Sequence, residues 1–103
     1  MSTQDRDELI QELKQLKQQL QTKWPVESLA LFGSWVRGDA RPDSDVDLLI
    51  QFRPGQATGI GLFEFFDIPV FLAQGLGRKV DLVEKQALKP SLAKHILPEA
   101  LEL

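Results

Sequence analysis

Leu9, Leu13, Leu16 and Leu20 recur at spacings of four, three and four, with Ile10 beside them. That is the repeat of one apolar helix face. The spacing predicts a helix over residues 5–22, with Asp5 as its cap and Glu8 three residues later completing a capping box. Gln and Lys dominate the opposite face, so the expectation is one amphipathic helix lying on a sheet. The repeat is too short for a coiled coil. Trp24-Pro25 closes the helix, because a residue before proline avoids the helical region.

The period then changes. Ser28–Phe32 reads as a short buried strand, broken by Gly33-Ser34, and 35–44 reads as a loop with room for one helical turn. Val46–Phe52 is a second strand, and Arg53–Gly61 a flexible, glycine-containing connection. Residues 62–74 are apolar at helical spacing, with Pro69 expected to interrupt or kink them and Gly75 and Gly77 at their end. Lys79–Glu84 is a third strand. Pro90 opens a last helix, Ser91–Leu97, which Pro98 is expected to end, leaving an unassigned tail to Leu103. The order helix, strand, loop, strand, helix, strand, helix predicts an α/β (α+β) fold, a small sheet with helices on one side.

Composition narrows what such a fold can do. The chain has 103 residues, 12 Lys plus Arg and 15 Asp plus Glu, a net charge of −3. That length predicts a single domain, 1–103, with a real core. With no Cys and one His, disulfides, thiolate zinc sites and most His-based triads are excluded. His95, on the last helix, is assigned no role. The weak negative charge argues against direct nucleic-acid binding, though not against a local phosphate site. No apolar run approaches a membrane span, and the first residues lack a basic, apolar leader. The expected setting is the cytoplasm, with no membrane partner.

The chemistry concentrates in Gly33–Leu48. Asp45 and Asp47, two residues apart at the head of a strand, point to one face, while Val46, Leu48 and Ile50 point to the other. Two carboxylates side by side repel unless a cation lies between them, and hard oxygen ligands suit Mg²⁺. Asp81 alternates with Val80 and Leu82. If its strand pairs beside Val46–Phe52, it completes a three-acid cluster able to hold two divalent ions for phosphoryl transfer. Gly33 allows close approach of backbone to a ligand, Ser34 adds a donor, and Arg37 can neutralise a phosphate. An isolated Asp-x-Asp is common in loops, and a lone Gly-Ser is only a turn. Their combination at this spacing is what points to chemistry.

With ten residues between Ser34 and Asp45, these residues resemble the motif of the minimal nucleotidyltransferases of the DNA polymerase β superfamily: Gly-Ser, ten residues, Asp-x-Asp, and a third acid on a later strand. Gly33, Ser34, Asp45, Asp47 and Asp81 match it, and Arg37-Gly38, Pro42-Asp43-Ser44 and Gly77–Val83 also look like the family. The resemblance spans roughly Val26 to Leu97. It implies a small mixed sheet flanked by helices, Mg²⁺ (two ions) bound by Asp45, Asp47 and Asp81, and ATP as donor. Asp81 would also help deprotonate the acceptor, and Gly33, Ser34 and Arg37 would bind the nucleotide phosphates. Trp35 stands where relatives often carry Arg. An indole cannot take over a guanidinium's role at phosphate, so the expectation is that Trp35 either stacks on a base or a partner or weakens nucleotide binding.

Relatives of this size resemble antitoxins paired with HEPN-domain ribonuclease toxins. The resemblance implies a hetero-oligomer in which AMP passes from ATP to a toxin hydroxyl, typically of Tyr. This chain has no Tyr of its own to modify. Two alternatives stand beside this: a non-catalytic antitoxin that masks its toxin by binding alone, and a small-molecule nucleotidyltransferase completed by a separate acceptor-binding subunit. Leu62–Leu72 is apolar on more than one face, which suggests a partner surface.

Overall fold

The structure is a computed structural model that describes the backbone of residues 3–41, 43–55 and 62–103. Helix α1 (Thr3–Lys23) leads into strand β1 (Val26–Phe32), the single-turn helix α2 (Ser34–Arg37) and strand β2 (Val46–Phe52). Helix α3 (Leu62–Leu76), strand β3 (Val80–Glu84), a 3₁₀ turn at Lys85–Ala87, helix α4 (Pro90–Glu99) and the two-residue strand β4 (Leu101–Glu102) follow. The sheet order is β3-β2-β1-β4. β1 pairs antiparallel with both β2 and β4, whereas β2 and β3 are parallel. Parallel neighbours need a long crossover, and α3 supplies it.

The alternation in β2 decides which face is which. Val46, Leu48, Ile50 and Phe52 point into the core, as do Leu29 and Leu31 of β1. Leu9, Leu13 and Leu20 of α1 and Ile68 and Leu72 of α3 cover them. Each fully buried side chain of this size contributes about 1.5–3 kcal/mol. Asp47, Leu49 and Gln51 therefore point to the opposite face, beside Ala30 and Ser28 of β1. The Ser28 hydroxyl bonds the Gln51 side chain across that face at 3.3 Å. No helix among the described residues is long and apolar enough to cross a membrane.

Several expectations change here. Asp5 is not a cap but lies inside the first turn of α1, where a carboxylate favours the helix N-terminus. Neither Pro69 nor Pro98 ends its helix: α3 runs on to Leu76 and α4 to Glu99. Pro98 sits in the last turn of α4, and tertiary packing on either side of Pro69 outweighs the one lost hydrogen bond. The 3₁₀ turn and β4 were not foreseen. β4 is too short to show a period, and the Leu103 N–H extends its pairing by donating to the Leu29 carbonyl at 2.9 Å. The helices do not all lie on one side. α1 and α3 cover the core face, but Leu97 of α4 and Ala100 line a hollow with Ala30 and Leu49 on the other. Of the Arg53–Gly61 connection, the part after Gly55 lies outside the described residues.

Trp35 is a core residue. Its side chain is 1% exposed, its indole N–H points to the Ser44 carbonyl at 3.5 Å, and the Arg78 guanidinium lies 4.7 Å from the ring centroid. Burial removes it from stacking on a base or a partner. Its position fastens α2 to the loop that leads into Asp45. We expect Trp35→Ala to cost about 3–5 kcal/mol of stability, as other aromatic truncations in cores do, measured by urea unfolding. In the intact protein, ATP should leave the buried indole's environment unchanged, as read by the emission of a Trp24→Phe variant in which Trp35 is the only indole.

Candidate active site

The site forms where β1 and β2 end together. Phe32 pairs with Asp47 across the antiparallel ladder, and Asp47 pairs with Asp81 across the parallel one. Gly33 follows Phe32 directly, with φ 81°, a left-handed value natural only to glycine. A β-carbon there would collide with the Asp47 carboxylate. The chain thus needs glycine twice, once for its backbone angle and once for the space Asp47 occupies. Gly38, with φ 88°, reverses the chain after α2, and the Val46 N–H donates to the Lys79 carbonyl at 2.9 Å, fixing the head of β2 beside β3.

The parallel register sets Asp81 level with Asp47, and Asp45 stands two residues before it. Asp45 immediately precedes β2, Asp47 is half-buried within it, and Asp81 is exposed on β3. Partial burial first, and then the charges of Asp81 and Asp45, push the Asp47 carboxyl above its ordinary value of 3.8. Arg37 pulls it the other way and Glu99 adds to the rise. An acid raised by neighbouring acids is a place where a cation would relieve repulsion. Among the described residues, no three acidic or imidazole side chains converge into a ready-made cage. Mg²⁺ does not require one, because it is usually held by one or two carboxylates, waters and substrate phosphate. The donor set fits such an ion.

Arg37 lies at the end of α2, its side chain half exposed between two carboxylates: Nε stands 3.5 Å from Asp39 and Nη1 3.3 Å from Glu99. Glu99 also accepts the Gly33 N–H at 3.1 Å. Sequence reading missed Glu99, because Pro98 was expected to end the helix and leave the residue in an unassigned tail. Nothing in its spacing pointed to the site. Ser34 is partly exposed beside Gly33 and opens α2.

Two hollows flank the acids. One, of about 230 Å³, lies a strand step from Asp47, floored by Ala30 and Leu49, walled by Leu97 and Ala100, with Lys85 beside it. The other, of about 450 Å³, is open and polar, between Asp43-Ser44 and Leu76–Lys79. On the far side of the molecule, Phe66 and Val70 of α3 are exposed at 57% and 54%, while Ile68 and Leu72 are buried. The helix therefore presents a second apolar stripe. The side chains of Leu62, Phe63 and Glu64, also within the expected surface, lie outside the described residues.

The raised Asp47 carboxyl has a consequence for stability. A folded state that binds the proton more readily than the unfolded chain gains stability as pH falls and loses it as pH rises through the folded value. Metal-free wild type therefore carries a penalty at neutral pH. Asp47→Asn should raise Tm at pH 7 in the presence of a chelator. That advantage should shrink on acidification and vanish below about 3.8, where Asp47 is protonated in both states. A Tm difference independent of pH would contradict the assignment.

Comparison with known proteins accords with this geometry. Residues 13–103 match the nucleotidyltransferase domain family. The protein adenylyltransferase MntA of Thermococcus cleftensis is 39% identical over 85 residues, 82% of each chain. A solved structure described as "putative minimal nucleotidyltransferase" superposes with TM-score 0.74 at 32% identity, covering 93% of this chain and 94% of that one. The fold also recurs, with TM-score 0.59 at 17% identity, in a complex of tri-AMPylated Shewanella oneidensis HEPN toxin with its MNT antitoxin, covering 99% of this chain and 71% of that one. The Gly-Ser and Asp-x-Asp residues at the ends of β1 and β2, the extent of the match and the mixed sheet lead to one assignment: this chain is a minimal nucleotidyltransferase of the nucleotidyltransferase domain family.

Proposed function

We propose that the chain is the antitoxin of a HEPN/MNT pair and acts by transferring AMP from ATP to a tyrosine hydroxyl of its toxin. The observation that carries the reading is the parallel register that sets Asp81 beside Asp47, next to Gly33. The Thermococcus relative's name supports protein adenylylation, and the Shewanella complex supports a HEPN partner that receives AMP.

In this reading Gly33, Ser34 and Arg37 hold the β and γ phosphates. Asp45 and Asp47, with Asp81, would hold Mg²⁺, which when bound neutralises phosphate charge and polarises the α-phosphoryl group. Asp81, the most exposed of the three, takes the proton from the acceptor hydroxyl. The acceptor oxygen bonds to the α-phosphorus, the bond from that phosphorus to the bridging oxygen breaks, and pyrophosphate leaves. Attacking and leaving oxygens lie roughly in line. With pyrophosphate at Gly33, beyond Asp47, the acceptor approaches from the opposite side. That side lies toward Asp81 on β3. The Phe66–Val70 stripe offers a separate surface for holding the toxin.

The test is the intact mass of a HEPN-domain partner co-expressed with this chain. It should gain one or more AMP units with wild type and none with the double variant Asp45→Asn, Asp47→Asn, which should also fail to neutralise the toxin. A partner that stays unmodified and is still neutralised by the variant would make the chain a binding antitoxin whose acids are idle.

A further inference from the structure

The donors assigned above to a nucleotide phosphate are already in use. The Gly33 N–H and the Arg37 guanidinium both converge on one atom, Oε1 of Glu99, at 3.1 and 3.3 Å. A carboxylate and a phosphate oxygen ask the same of such donors: negative charge and acceptor lone pairs, with no proton to give. We infer that Glu99 is a built-in stand-in for a nucleotide phosphate, holding the Gly33–Arg37 site until the donor nucleotide displaces it. This rests on the reading that Gly33 and Arg37 receive phosphate.

The backbone beneath Glu99 explains why the stand-in is dependable. Glu99 is the last residue of α4, and the Ala100 N–H closes the helix onto the carbonyls of Ile96 and Leu97. Immediately afterwards, Leu101 and Glu102 pair with Leu31 and Ala30 of β1. The Lys17 ammonium donates to the Leu103 carbonyl at 2.9 Å, fastening the end of this arm to α1. The main chain is thus held on both sides of Glu99, a few residues along β1 from Gly33. Only the side chain has to swing for the donors to be released.

Charge gives the exchange its direction. Glu99 is a further carboxylate whose charge reaches Asp47, on the surface where the proposed triphosphate is to bind. A phosphate arriving with Glu99 in place meets like charge and finds its donors taken. With Glu99 turned away, both costs disappear. The free protein keeps Gly33 and Arg37 satisfied and binds nucleotide more weakly than an open site would. Glu99→Gln keeps the shape and can still accept the Gly33 N–H, but lacks the charge that holds Arg37. Glu99→Asp keeps the charge and falls one methylene short.

The experiment is calorimetric titration of full-length wild type, Glu99→Gln and Glu99→Asp with ATP, with and without Mg²⁺. Circular dichroism confirms that each variant is folded. Both variants should bind ATP roughly three- to tenfold tighter than wild type, the size expected when a partly exposed ion pair no longer competes. The gain should persist without Mg²⁺. Weaker binding by either variant would make Glu99 a brace that positions Gly33 and Arg37, and unchanged binding would make it a bystander. Either result overturns the inference while leaving the proposed function standing. A gain seen only with Mg²⁺ would also overturn it, since competition for phosphate donors needs no metal. If neither wild type nor variants bind ATP, the nucleotide reading itself falls, and this inference with it.

Discussion

The pairing of β2 with β3 is the interaction on which everything else depends. Its parallel sense requires a crossover, which the apolar helix α3 provides while covering the core face of the sheet. Its register sets Asp47 level with Asp81. A slip of one residue would turn Asp47 into the core and Leu48 out of it, so the hydrophobic burial of β2 also fixes where the acids stand. Packing energy is here converted into the placement of charge.

That placement is costly for the isolated chain. Asp47 carries the repulsion of Asp81 and Asp45, and Glu99 adds to it from the far end of the sequence. The fold offsets this with local restraints: glycine at position 33, where a side chain would strike Asp47, a buried indole tying α2 to the loop before Asp45, and β4 pinning the arm that carries Glu99. The sheet thus has a dry face that stabilises it and, at one end of the other face, the acids to which the chemistry is proposed to belong.

How much of this was legible in the sequence follows from the range of the interactions. The leucine spacing of α1 and the alternation in β2 are local signals, and they gave the right elements because each matches a single period. Gly33, Ser34, Asp45 and Asp47 lie within one short segment, so their juxtaposition could be read from spacing. Asp81 joined them only on condition that its strand paired beside β2, which is a tertiary fact. Trp35 misled because its neighbours suggested phosphate, whereas its burial depends on contacts with Ser44 and Arg78 that spacing does not encode. Pro98 misled because the helix it was expected to stop runs two residues beyond Leu97, and those two residues deliver Glu99. A contact separated by 66 residues from Gly33 leaves no local trace.

The central claim is that the ends of β1, β2 and β3 form one metal–nucleotide site. Paramagnetic broadening of backbone amide resonances by Mn²⁺, added with a non-hydrolysable ATP analogue, tests it most directly. Broadening at low Mn²⁺ should centre on Gly33, Ser34, Asp45, Asp47 and Asp81 and spare Phe66 and Val70. Broadening centred on another surface, or spread evenly over the acidic side chains of α1, would contradict it.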